Sequence, residues 1–152
     1  MNVIDDIKIL TGKKKDPRLE KPAAPPKKIL IVEDEKPLAD ILYTRLTEEG
    51  FLVATADNGQ KGLELAATFH PNVILLDLLM PVMDGKQMLR ALREIPACKT
   101  TPVIVLTNAG EIENIRETQF YSNAEEFLIK SNVSMEEIIK KVKFYSNATI
   151  LK

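Results

Sequence analysis

The stretch VILLDLLMPVMDG, residues 73–85, joins a continuous apolar run to Asp77 and then to a proline-containing loop. Two further runs, ILIV at 29–32 and VIVL at 103–106, are apolar throughout in the same way. Strands covered on both faces read as continuous apolar runs, whereas half-exposed strands alternate between apolar and polar residues. The three runs therefore predict the central strands of a parallel sheet.

Two more segments, FLVATA at 51–56 and AEEFLIK at 124–130, mix apolar and polar residues and predict strands nearer the sheet edges. Stripes of apolar residues at helical spacing lie between the strands. Helix-capping residues stand where these helices should begin: Asn58, Asp84 with Gln87, and Ser134 with Glu137. Five strands alternating with five helices predict a doubly wound α/β domain over residues 28–147.

The residues before this domain have a different character. Residues 11–27 contain four of the nine prolines and no apolar periodicity, which predicts an extended linker. We predict that residues 1–10 form a short amphipathic segment that covers an apolar patch of this domain, engages a partner or pairs two copies. The alternative is a frayed tail, as expected for residues 148–152. The prediction rests on four aliphatic side chains near one helical face: Val3, Ile4, Ile7 and Leu10.

Composition excludes several classes of protein. The 152 residues suit one domain, and no apolar run approaches the ~18 residues of a membrane-spanning helix. With one cysteine, Cys98, and one histidine, His70, a single chain has no internal disulfide and no Cys/His zinc site. The net charge is +4 over residues 1–28 and −5 over the rest, which disfavours nucleic-acid binding by the folded domain. We expect a cytoplasmic protein that does not associate with membranes.

Chemically active side chains follow four of the predicted strands. Glu33 and Asp34 follow the first strand, Asp77 the third, Thr107 the fourth and Lys130 the fifth. The ends of parallel strands share one edge of the sheet, where open α/β proteins place their ligands. Crowded carboxylates need a cation to offset their repulsion, and a set of oxygen ligands favours Mg²⁺. Carboxylates, a hydroxyl and an ammonium group together suit phosphoryl transfer, which needs mainly positioning and charge neutralisation.

Each of these residues has an ordinary interpretation when it is taken singly. An acid at a strand end is usually a solvated loop residue, and a threonine in a strand is common. The combination favours a functional site, because four separate strand ends carry complementary groups. His70 and Cys98 are predicted to have structural roles.

The motifs together resemble the receiver domain of two-component response regulators, over residues 28–147. This resemblance implies the flavodoxin-like receiver fold, a five-stranded parallel sheet in the order 2-1-3-4-5 flanked by five helices. The motifs that carry it are ILIVEDE at 29–35, VILLDLLMPVMDG at 73–85, VIVLTNAG at 103–110 and FLIK at 127–130.

The resemblance also implies roles for residues at the acidic end of the sheet. Asp77 corresponds to the phosphoacceptor. Glu33 and Asp34 correspond to the residues that hold Mg²⁺, together with Asp77 and the backbone carbonyl of Leu79. Asp34 corresponds to the more direct of the two acidic ligands.

Three more residues correspond to the groups that respond to phosphorylation in this family. Thr107 would bond one phosphoryl oxygen and Lys130 would pair with another. Phe127 occupies the aromatic switch position, on a surface that includes the predicted fourth and fifth helices. Phosphorylation would therefore shift a two-state protein-interaction surface.

These residues predict a stand-alone receiver that takes its phosphoryl group from a sensor histidine kinase or a phosphotransfer protein. Only residues 146–152 follow the last predicted helix, so we expect no DNA-binding domain and output through a downstream protein partner. A homodimer is one possible form of that output. The protein is expected to be a signalling switch that catalyses its own phosphorylation and dephosphorylation, rather than an enzyme.

Three alternative functions compete with that of a phosphorylated receiver. A pseudo-receiver that binds partners without phosphorylation is the stronger rival, because Asn108 follows Thr107 and Ser131 follows Lys130, where the family usually has a small residue and a proline after a cis bond. A dehalogenase-type phosphatase needs a second aspartate at the position of Leu79. Dinucleotide binding is disfavoured because no glycine-rich turn follows the first strand.

Overall fold

One five-stranded parallel sheet forms the centre of the molecule, in the order β2-β1-β3-β4-β5. The computed structural model describes residues 24–111 and 123–148. The strands are β1 (Lys28–Val32), β2 (Leu52–Ala56), β3 (Val73–Asp77), β4 (Val103–Thr107) and β5 (Glu126–Ile129). The predicted strand order is confirmed.

Helices cover both faces of this sheet. They are α1 (Lys36–Glu48), α2 (Gly59–Phe69), α3 (Gly85–Leu92) and α4 (Met135–Ala148), and a short 3₁₀ helix covers Pro96–Cys98. Residues 109–111 are also helical, and the remainder of the helix predicted between β4 and β5 lies outside the described residues. The predicted amphipathic segment, residues 11–23 of the predicted linker and residues 149–152 lie outside them too.

The core divides into two apolar clusters, one on each face of the sheet. Side chains of α2 and α3 pack on one face, and side chains of α1 and α4 pack on the other. Every residue of β3 and β4 is buried, whereas β2 and β5 are only partly buried. The doubly wound arrangement therefore explains why the central strands have continuous apolar sequences and the edge strands have mixed ones.

The predicted capping residues mark the starts of three helices. The Asn58 side chain accepts a hydrogen bond from the Lys61 backbone N–H at 2.9 Å. Asp84 and Gln87 form a reciprocal capping box at the start of α3, and Ser134 Oγ accepts from a backbone N–H in the first turn of α4. These caps fix where the chain leaves the sheet edge and enters each helix.

The loop between β3 and α3 has a constrained backbone. Val82 has a φ of 68°, in the left-handed region that a β-branched residue rarely adopts. The carbonyl of the next residue, Met83, accepts a hydrogen bond from the Gly59 N–H at 2.9 Å. A side-chain carbon on Gly59 would lie 2.4 Å from that same carbonyl oxygen, so this close approach requires glycine.

Two further properties of the described residues bear on the sequence analysis. None of their peptide bonds is cis, so the bond between Lys130 and Ser131 is trans. No helix among them is both long and apolar enough to cross a lipid bilayer.

Candidate functional site at the carboxyl edge of the sheet

The carboxyl ends of the strands bring the predicted site residues to one edge of the sheet. Glu33 directly follows β1, Asp77 ends β3, Thr107 ends β4 and Lys130 directly follows β5. The Lys130 N–H donates to the Thr107 carbonyl at 2.9 Å, which holds the start of the last loop against β4. Residues up to 97 positions apart in sequence therefore meet in one crevice.

Lys130 lies at the centre of this crevice, and its side chain is only 14% exposed. Its Nζ is 2.7 Å from Glu33 Oε1, 3.4 Å from Glu35 Oε1 and 3.5 Å from Asp77 Oδ1. Three carboxylates therefore share one ammonium group. Hydrogen bonds and ion pairs in a partly buried position are screened little by solvent, so this arrangement holds the side chain firmly.

Three carboxylates form a group that could hold a metal ion. Glu33, Asp34 and Asp77 each place one oxygen within 4.8 Å of the others. Glu33 and Asp77 are buried while Asp34 is exposed, so the group opens to solvent on one side. The buried Glu33 Oε2 has no hydrogen-bond partner within the described part of the chain. An unpaired buried carboxylate oxygen beside two further carboxylates fits a hard divalent cation such as Mg²⁺.

The protonation behaviour of the site follows from burial and from this crowding. Burial raises the pKa of Glu33 to about 8; the hydrogen bond from Lys130 opposes the shift and the nearby Asp77 carboxylate adds to it. Burial also raises the pKa of Asp77, while the neighbouring Glu33 side chain and the charge of Lys130 oppose the shift. For Lys130, burial alone would lower the pKa, but the bond and charge of Glu33, with Asp77 and Glu35, outweigh it and raise the pKa. The crevice therefore disfavours negative charge until a cation enters.

The backbone around Asp77 holds its carboxylate in place. The Leu79 N–H donates to Asp77 Oδ1 at 3.3 Å, and the Gly85 N–H donates to the Leu78 carbonyl at 2.9 Å. A side-chain carbon on Gly85 would lie 2.3 Å from the Asp77 carbonyl oxygen. Only glycine lets the start of α3 approach the end of β3 this closely, so Gly85 sets the position of the carboxylate.

The remaining predicted residues differ in how deeply they are buried. Thr107 is buried, and its hydroxyl lies 3.5 Å from the carbonyl oxygen of Asn108, whose side chain is exposed. Phe127 is partly buried against the cluster formed with α2 and α3. The Leu79 and Val82 side chains are 52% and 82% exposed. The mouth of the site is therefore apolar on the side of the β3–α3 loop.

A cleft of about 520 Å³ begins at Glu33 and Asp34 and extends between the start of α1 and the end of β2. Its walls carry two further lysines, each paired with an acid: Lys36 Nζ lies 3.1 Å from Asp40, and Lys61 Nζ lies 3.2 Å from Asp57. The cleft gives solvent-borne molecules access to the acidic group.

Glu35 is a site residue that the sequence analysis did not single out. It appears there only as the last residue of the motif ILIVEDE, directly before α1. Its contact with Lys130 joins residues 95 positions apart. The sequence therefore contains the charge but gives no signal for the contact.

The chain is similar to known proteins in both sequence and fold. The model of the response regulator receiver domain family matches residues 29–143. The transcriptional regulatory protein CusR of Escherichia coli K12 is 42% identical over 103 residues, which cover 68% of this chain and 44% of that protein. The chain thus spans less than half the length of this curated relative.

Solved structures match the fold over most of the chain. The receiver domain of the Francisella response regulator 1452 has a TM-score of 0.71 and 32% identity, and the match covers 81% of this chain and 98% of that one. The receiver domain of the Pseudomonas aeruginosa sensor histidine kinase PA1611 holds a magnesium ion in its own active site cleft. It has a TM-score of 0.72 over 81% of this chain and 99% of its own, and at 23% identity it supports the fold alone.

Proposed function

This chain belongs to the response regulator receiver domain family of two-component signalling, and from that premise we propose that Asp77 accepts a phosphoryl group from a phosphohistidine. The donor would be a sensor histidine kinase or a phosphotransfer protein. The observation that carries the proposal is the position of Asp77: it is buried, lies 3.5 Å from the Lys130 ammonium group and is grouped with two further carboxylates.

The proposed reaction is an in-line displacement at phosphorus. A carboxylate oxygen of Asp77 attacks the phosphorus atom, a P–O bond forms, and the P–N bond to the donor imidazole breaks with its electron pair left on nitrogen. Lys130 neutralises the charge that builds up on the phosphoryl oxygens. The Thr107 hydroxyl then donates to one of those oxygens. The product is an acyl phosphate on Asp77.

We propose Mg²⁺ as the cofactor of this reaction. Glu33, Asp34, Asp77 and the backbone carbonyl of Leu79 would hold it, and the unpaired oxygen of Glu33 supports this assignment. When bound, Mg²⁺ supplies the positive charge that lets a phosphoryl group approach a cluster of carboxylates.

The output that we propose is a change in a protein-interaction surface around Phe127, which would bind a downstream partner or a second copy of the chain. The chain would thus act as a switch rather than as an enzyme on a separate substrate. The expected absence of a DNA-binding domain stays a prediction, because the related CusR is a transcriptional regulatory protein and the match covers only 44% of it.

The test is the intact mass of the chain after incubation with Mg²⁺ and acetyl phosphate. We expect wild type to gain the mass of one phosphoryl group and Asp77→Asn to gain none. Asp84→Asn is the matched control, since asparagine also caps helices and this residue lies in the same loop. It should react like wild type. No mass gain in wild type, with acetyl phosphate or with a phosphorylated kinase, would instead support the pseudo-receiver.

A further inference from the structure

Glu35 occupies the N-cap position of α1 but does not cap it. Its backbone is extended, with φ −76° and ψ 100°, and its side chain makes no capping hydrogen bond. The carboxylate instead reaches across the mouth of the crevice to Lys130, at 3.4 Å. The Glu35 side chain is 59% exposed, so this contact lies on the solvent side of the lysine.

We propose that Glu35 is a positioning residue that restrains phosphorylation by holding the Lys130 ammonium group at the mouth of the site. This inference rests on the proposed phosphoryl transfer to Asp77. Lys130 Nζ is as far from Asp77 as from Glu35, at 3.5 and 3.4 Å. The lysine is therefore shared between the residue that would react and one that would not.

The number of donors on Lys130 makes this sharing a competition. An ammonium group has three N–H donors, and three carboxylates already surround it. A phosphoryl group arriving at Asp77 adds further acceptor oxygens. Glu33 holds the lysine most tightly, at 2.7 Å, from a buried position. Glu35 is the exposed partner, and breaking its bond leaves no buried charge unpaired. This bond is therefore the one that breaks when phosphoryl oxygens compete for Lys130.

The alternative is that Glu35 acts only through its charge, by repelling anionic phosphodonors. Two variants separate these effects. Glu35→Gln removes both the charge and the ion pair with Lys130. Glu35→Asp keeps the charge but shortens the side chain by one C–C bond, about 1.5 Å, and aspartate at an N-cap position turns to the helix N–H groups. Both variants therefore free Lys130, while only the first one reduces repulsion.

The experiment measures the initial rate of phosphoryl incorporation by intact mass, with the full chain, Mg²⁺ and acetyl phosphate. We expect Glu35→Gln and Glu35→Asp each to react about two- to fivefold faster than wild type, the range of a largely exposed ion pair. Asp57→Asn is the matched control. It removes a carboxylate of similar exposure, 65%, from the wall of the cleft that begins at Glu33 and Asp34, but one that is paired with Lys61. Its rate should equal that of wild type.

Three results would overturn the inference while leaving the proposed function intact. They are an unchanged rate in Glu35→Gln, a wild-type rate in Glu35→Asp beside a faster Glu35→Gln, and an equal acceleration in Asp57→Asn. The last two would assign the effect to general repulsion. A wild type that gains no phosphoryl group at all would refute the proposed function, and the inference with it. Equal unfolding midpoints of the variants in urea would show that the rates report the site and not the fold.

Discussion

The two edges of the sheet use charged side chains in opposite ways. At the amino edge, Arg93 donates to the carbonyls of Cys98, Thr101 and Asn123 at 2.7–3.2 Å and lies 3.6 Å from Glu125. Glu125 in turn accepts from the first N–H of β4 at 2.7 Å. At the carboxyl edge, Glu33, Glu35 and Asp77 share one lysine, and one buried oxygen has no partner within the described residues.

The charged groups at the amino edge stabilise the fold, whereas those at the carboxyl edge form the candidate site. A buried guanidinium that meets several acceptors ties together loops that are distant in sequence. A crowded set of carboxylates disfavours the ligand-free folded state, and that free energy is recovered when a cation binds. The same sheet thus carries a stabilised edge and a reactive edge.

The largest effect is expected at the amino edge, on replacing Arg93 with alanine. The change leaves three carbonyls and the Glu125 carboxylate without this donor, and the arginine side chain is only 16% exposed. The free energy of unfolding should fall by about 2–4 kcal/mol, measured by urea denaturation. Arg90→Ala, an exposed position in the helix that Arg93 directly follows, should change it by less than about 0.5 kcal/mol. Equal effects of the two variants would break the comparison.

The second-largest effect is expected in the pH dependence of Mg²⁺ binding at the carboxyl edge. Glu33, with a pKa of about 8, must lose its proton to bind a metal ion, so Mg²⁺ affinity should rise as the pH rises towards 8. The rise should approach tenfold per pH unit, as measured by calorimetric titration. In the metal-free chain the folded state keeps this proton to a higher pH than the unfolded state. The contribution of Glu33 to stability therefore declines as the pH rises from about 4.5 towards 8.

Glu33→Gln is the control for this dependence. The variant should bind Mg²⁺ more weakly and with little change between pH 6 and 8. A flat profile in wild type would mean that Glu33 is already ionised before the metal binds.

The smallest effect is a gain in stability at the reactive edge. Asp77→Asn removes one of two buried carboxylates, and burial already raises the pKa of Asp77. The free energy of unfolding without metal should rise by roughly 0.5–2 kcal/mol at pH 7.5, while Asp84→Asn should leave it unchanged. A destabilised Asp77→Asn would show that the bond from Leu79 and the pair with Lys130 outweigh the repulsion.

Most of the fold could be predicted because local signals and the global arrangement agree. Continuous apolar runs marked the buried strands β3 and β4, and Asn58 and Asp84 cap helices where the sequence places them. The meeting of Glu33 with Asp77 followed from the rule that parallel strands end at one edge. These inferences need only patterns within about ten residues and the strand order that the family resemblance implied.

What the sequence could not supply depends on contacts between distant residues. Arg93 is one of 21 lysines and arginines, and its partners lie 5 to 32 positions further on. The contact between Glu35 and Lys130 has the same character. The left-handed backbone of Val82 also carries no local signal, because valine disfavours it and the surrounding loop imposes it.

The strand order also determines when the site residues come together during synthesis of the chain. β1, β2 and β3 are neighbours in the sheet, and β4 and β5 each add to the edge that the previous strand has left open. Glu33 leaves the ribosome 97 residues ahead of Lys130, a delay of about 5–20 seconds at usual elongation rates. For that interval the nascent chain carries its carboxylates without their lysine. The reactive edge is completed only when β5 docks, so phosphorylation of Asp77 would require that all five strands have been synthesised and paired.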